Sequence, residues 1–207
     1  MFRAIAKELE HHAPFTFFGA LTGIIFLVFF KNLPDNTTHN IFYFLHPMHV
    51  VMSALVTASM YKKYKCNNVN KMCNLGTLLF VGYVGSLGIA TLSDSIIPYL
   101  GELLLGMPNT SAHIGFIEKW WLVNPLAILG ICIAYFKPMT KVPHSIHVFI
   151  STWASTAHIM MALNNSVSLV TYLVIFLFLF SAVWIPCCTS DIVFPLLFVK
   201  NKWQTVI

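Results

Sequence analysis

Residues 41–61 read IFYFLHPMHVVMSALVTASMY. The stretch contains no Asp, Glu, Lys or Arg, and it matches the roughly 20 apolar residues that cross a bilayer as a helix. His46 and His49 stand three apart inside it, and positions i and i+3 share one face of a helix. Five further apolar runs surround it, at 13–30, 75–97, 120–136, 146–163 and 167–185. They are continuously apolar rather than alternating, which argues against a β-barrel. Backbone in hydrocarbon must satisfy its own hydrogen bonds, so the runs predict helices. The chain of 207 residues is 57% hydrophobic and 9% charged, with a mean hydropathy of +0.76. Soluble domains carry roughly 25% charged residues, so this chain lacks the charge to cover a water-facing surface. The expectation is an all-α integral membrane protein with six transmembrane helices, a single membrane domain over 1–207.

Orientation follows from the basic residues. Six spans sort the loops into two sets. The set with both termini holds Arg3, Lys7, Lys62, Lys63, Lys65, Lys71, Lys137, Lys141, Lys200 and Lys202. The other set holds Lys31 and Lys119. The positive-inside rule then places the N- and C-termini in the cytoplasm. The net charge of +5 is accounted for by these topogenic residues and gives no reason to expect a nucleic-acid partner. The first run is read as a permanent helix, because Glu8, Glu10, His11 and His12 precede it and no small-residue cleavage site follows. Cys66 and Cys73 fall on the cytoplasmic side, where thiols stay reduced. Asn36, Asn109 and Asn164 head glycosylation triplets, all on the outer side.

The histidine string has a second copy. His46-Pro47-Met48-His49-Val50-Val51-Met52-Ser53 is matched by His144-Ser145-Ile146-His147-Val148-Phe149-Ile150-Ser151. A second pair follows at nearly the same spacing: Ser93-Asp94-Ser95-Ile96-Ile97-Pro98 and Ser190-Asp191-Ile192-Val193-Phe194-Pro195. Two matches in order imply a duplicated unit, about 11–105 and about 113–199. Each unit holds three spans, so the second copy enters the membrane inverted. Inverted repeats of this kind build secondary transporters, with sites near the repeat interface.

Ionisable side chains inside a bilayer are costly and mark function. Imidazole pairs suit Zn, Cu, Fe and Ni. The candidate metal ligands are therefore His46, His49 and Asp94 toward the outer face, and His144, His147 and Asp191 toward the inner. His12, His113, Glu118 and His158 are additional candidates. Each lone histidine is as readily a polar residue at headgroup level, and the repeated set carries the argument. Gly82, Gly85 and Gly88 read as a helix-packing seam. Cys187 with Cys188 could bind a soft metal, and small apolar filler is the simpler reading. Pro47 and Pro143 suggest that both histidine strings open helical segments. That start would favour an anion, since a helix N-terminus carries partial positive charge; the two aspartates argue for a cation.

The reading is a carrier for a divalent transition metal (Zn, Mn, Fe, Ni or Co), with the lipid bilayer and the ion as partners and a second copy of the chain as a candidate partner. Two alternatives accompany it. One is an intramembrane metalloenzyme on a lipid or other apolar substrate, with Glu102 or Glu118 as base. The other is a b-type haem protein with histidines as axial ligands.

Overall fold

The computed structural model describes residues 2–66, 74–139, 141–163, 167–189 and 193–198, without the side chains of 2–9, 11, 141–144 and 188. Nine α-helices occupy these segments: α1 Phe2–Phe30, α2 Asp35–Tyr61, α3 Leu75–Thr91, α4 Ile97–Leu104, α5 Gly115–Glu118, α6 Trp120–Phe136, α7 Lys141–Ala162, α8 Leu169–Cys188 and α9 Phe194–Leu197. No strand occurs among the described residues. Side-chain caps start two of the helices. Asn74 accepts the N–H of Thr77, and Ser168 accepts that of Thr171.

Four segments are long and apolar enough to cross a membrane: His12–Phe30, Asp35–Cys66, Leu75–Leu104 and Leu169–Cys187. The six apolar runs predict two more. Of these, α6 is apolar but has only 17 residues, about 25 Å of helix against a hydrocarbon core of about 30 Å. The other, α7, is a polar helix turned inward. Its His147, Ser151, Thr152, Ser155, Thr156 and His158 are all buried. The outer surface is the reverse: Phe18, Phe29, Leu169, Leu173 and Leu177 on α1 and α8 are more than half exposed. Apolar surface on that scale suits an apolar solvent.

At the centre, α2 packs against α3, α6 and α7, while α7 packs against α1, α2 and α8. Close approach depends on glycine. A Cβ on Gly130 of α6 would collide with the Val51 carbonyl of α2, and one on Gly23 of α1 would run into Thr156 of α7. The glycine seam on α3 is shorter than its spacing predicts. Gly82 and Gly85 meet Ile131 and Thr57, but nothing approaches Gly88 within 4 Å.

The prolines act differently from the expectation. Pro47 lies inside α2, so the first histidine string begins about three turns in, well away from the positively charged end. Near Asp94 the chain widens instead of breaking. Leu92–Ile96 form a π-helical turn between α3 and α4, with the Ile97 N–H reaching back five residues to the Leu92 carbonyl. Pro98, at the start of α4, has no N–H to give to the Asp94 carbonyl and crowds it. Turns of this kind frequently mark functional sites.

Cys66 corrects one expectation outright, because it is disulfide-bonded. A reduced thiol was predicted from the loop's placement on the cytoplasmic side. Disulfides persist in oxidising compartments, so this bond and the lysine distribution pull the orientation in opposite directions.

Candidate metal centre

The π turn delivers Asp94 into the middle of the bundle, where it is fully buried. Both of its oxygens are occupied. Oδ2 lies 3.0 Å from His46 Nδ1 and 2.7 Å from His49 Nδ1. Oδ1 accepts from Ser93 and Ser151, each at 2.8 Å. The carboxylate thus holds two imidazoles of α2, a hydroxyl of its own turn and a hydroxyl of α7.

This pairing sets the histidine tautomers. An ionised carboxylate only accepts, so Nδ1 carries the proton in both rings and Nε2 keeps the lone pair. Carboxylates orient metal-binding histidines in this way. The two lone pairs diverge. That of His46 faces Gly115, where an added Cβ would sit 2.5 Å from Nε2. That of His49 faces Cys187 of α8, with Nε2 3.9 Å from Sγ. The adjacent string positions therefore share an acid, and only His49 turns toward a further donor.

His147 of α7 completes a cluster with His49 and Cys187. One donor atom from each of the three lies within 4.8 Å of the others, and all three side chains are buried. The His49 and His147 rings stack at 5.5 Å with an interplanar angle of 6°. A tetrahedral zinc ion would hold such donors about 3.3–3.7 Å apart, so a contraction of at most about 1.5 Å closes the set around an ion. His49 and His147 are the positions that the two histidine strings align with each other. The strings read as serving opposite faces, yet these two members meet in one cluster. Asp191 and the side chain of His144 lie outside the described residues.

A second polar group lies at the other end of these helices, under the segment between α4 and α6. His158 Nδ1 is 2.7 Å from Glu102 Oε1, and its Nε2 accepts the N–H of His113 at 3.3 Å. Neither nitrogen of His158 keeps a lone pair for a metal. Glu118 accepts the Tyr43 hydroxyl and the Ile114 N–H and lies 3.4 Å from His113 Nδ1. Ser95 donates to the His113 carbonyl at 2.6 Å. These bonds fasten the segment to α2, the π turn and α7. His12 sits on α1, where its carbonyl accepts from Thr16, and it is not a member of the cluster.

Sequence reasoning sets Cys187 beside Cys188 as a soft-metal pair and ranks filler above it, because a cysteine in an apolar helix is most simply small filler. Its position is a further signal: it lies one turn before the second Ser-Asp string. Ser151 was visible only as the last letter of a repeat.

His113 lies outside the spans, and its imidazole is held below its ordinary pKa by partial burial, then by neighbouring His158 and His39. The unfolded chain therefore binds more protons than the folded one just below pH 6.5, so stability rises with pH across that window and is lost as pH falls through it. Thermal unfolding in detergent should show a lower Tm on acidification through this range. His113→Gln should flatten that part of the profile, and an identical slope in both proteins contradicts the assignment.

No protein-family model matches the chain, and no curated protein and no solved structure matches it.

Proposed function

We propose that the chain is a six-span membrane carrier for a divalent transition-metal ion, with His49, His147 and Cys187 as the cargo ligands and Asp94 as the carboxylate that orients His49. The observation that carries this reading is the stacked pair. Two histidines at equivalent places in repeated strings, one from each half of the chain, face each other beside a buried thiol. A two-fold related pair of halves brings equivalent residues together near its axis, where inverted-repeat carriers hold their substrates. Both termini lie in the cytoplasm in this reading, on the strength of the lysine distribution, with the Cys66 disulfide as the opposing sign.

The donors narrow the cargo. Two imidazoles and a thiolate suit Zn(II), Co(II) and Ni(II) better than Mn(II), which prefers oxygen. Charge agrees, since a thiolate and the Asp94 carboxylate together balance one divalent ion. The metalloenzyme reading needs a substrate groove beside the donors. Two apolar grooves between helices, one along Leu79, Tyr83 and Trp120 and one along Gly88, Leu92 and Phe194, include none of His49, His147 and Cys187 in their walls. The haem reading needs nitrogens on opposite faces of a macrocycle, and rings stacked at 5.5 Å leave no slot for one.

Cobalt provides the test. Purified protein titrated with Co²⁺ should develop thiolate-to-cobalt absorption that Cys187→Ser removes. Cys132→Ser, at an exposed free thiol, should leave it intact. In liposomes the same Cys187 variant should lose Zn²⁺ flux. Cobalt bound without any sulfur signature rules out this site.

A further inference from the structure

Glu102 on α4 and His158 on α7 form a second buried acid–base pair, each residue 1% exposed, and the metal cluster does not use it. The His113 backbone N–H can only donate, so the His158 Nε2 that receives it is the acceptor nitrogen and Nδ1 carries the proton. The imidazole thus points one N–H at the acid. It satisfies Glu102 Oε1 at 2.7 Å. Glu102 Oε2 is buried with no hydrogen-bond partner among the described residues.

The surroundings supply no compensating charge. From α2, Phe42 stands edge-on to His158 at 5.4 Å, with His46 stacked on its other side. From the segment before α5, the His113 ring is 5.6 Å away, and that ring is the one held below its ordinary pKa. From α8, Phe178 lies against Gly101, the neighbour of Glu102. Glu118, Tyr43 and His39 lie around His113, and the Lys119 ammonium sits 5.3 Å over the Tyr43 ring. Among the described residues no lysine or arginine pairs with Glu102, whose one ionic partner is His158. A buried carboxyl with a bare oxygen and no lysine or arginine beside it can carry a proton at that oxygen.

We infer that Glu102 is a proton-binding site separate from the metal cluster, taking H⁺ on its vacant Oε2, and that this proton is the ion exchanged against the metal. One H⁺ adds to the carboxylate to give the neutral acid and leaves again as H⁺; no other bond changes. Proton binding rests on the pair alone, whereas coupling rests on the carrier reading.

Infrared difference spectra of the purified protein across a pH titration test the first part. A carboxylic-acid C=O band should appear on acidification, vanish in Glu102→Gln and move in Glu102→Asp. Both variants should keep the Co²⁺ absorption of the cluster. No titrating band in the wild type, or its persistence in Glu102→Gln, overturns the site. Zn²⁺-loaded liposomes test the second part. Wild-type flux should carry a proton counterflow that Glu102→Gln abolishes, and zinc flux without counterflow in the wild type overturns the coupling. A titrating band with no zinc flux at all retires the carrier reading and leaves Glu102 a proton site.

Discussion

Replacing Asp94 with asparagine is expected to lower metal affinity about 10–100-fold, the usual cost of losing an outer partner of a ligating histidine. Size barely changes, so the effect is electronic. The carboxylate accepts Nδ1–H from His46 and His49 and two serine hydroxyls. An amide oxygen can still accept both Nδ1–H groups, with its NH₂ turned to the two serine hydroxyls, but it carries no charge. The His49 ring then loses its charged partner, and its Nε2, the atom that faces Cys187, becomes a weaker donor to a metal. Asp94→Ala should be worse, because it strands four donors in the core. Breaking a buried charged network by removing one partner costs about 3–5 kcal/mol. Calorimetric metal titration and Tm in detergent separate the two effects: Asp94→Asn should lose affinity with most of its stability kept, and Asp94→Ala should lose both. Wild-type affinity in Asp94→Asn would mean that the acid does not orient the site.

The larger loss is expected from the stacked pair itself. His49→Ala or His147→Ala removes one of three protein donors, so affinity should fall by more than the roughly 100-fold upper range for an outer partner. The two variants should be nearly equal in effect, because the rings occupy matching positions in the two strings. Their double variant should add little, since either loss alone leaves too few donors to hold an ion. His46→Ala should be milder, as its Nε2 faces Gly115 rather than the cluster. Equilibrium competition against a chelator of known affinity reads all four. If His147→Ala binds zinc as the wild type does, the cluster is a packing arrangement and not a site.

Much of this arrangement was legible in the chain, and the limits have physical causes. The helical, bilayer-suited class follows from charge scarcity and continuous apolar runs, which need no tertiary knowledge. The His-x-x-His strings and Ser-Asp strings stood out because polar residues are rare in such runs. Their partners did not. An i, i+3 spacing says that His46 and His49 share a face, but not that a carboxylate from the π turn will take both Nδ1 atoms. Opposite depths were inferred for the two strings from topology. Yet His49 sits in the middle of α2 rather than at an end, and α2 packs along α7 from Phe42 against His158 to His49 against His147. A thiol beside Cys188 suggests a soft metal but not its partners, and the place of Cys187 in the cluster depends on lying 3.9 Å from His49. The fate of α7 was also hidden, because a helix that buries its polar face against other helices reads as a weak span.

The most direct test of the central claim is X-ray absorption at the zinc edge of the metal-loaded, purified wild-type protein. One sulfur at about 2.3 Å with imidazole nitrogens at about 2.0–2.1 Å, the sulfur shell disappearing in Cys187→Ser, is the predicted result. A shell of oxygen and nitrogen alone, or zinc retained unchanged in that variant, contradicts it.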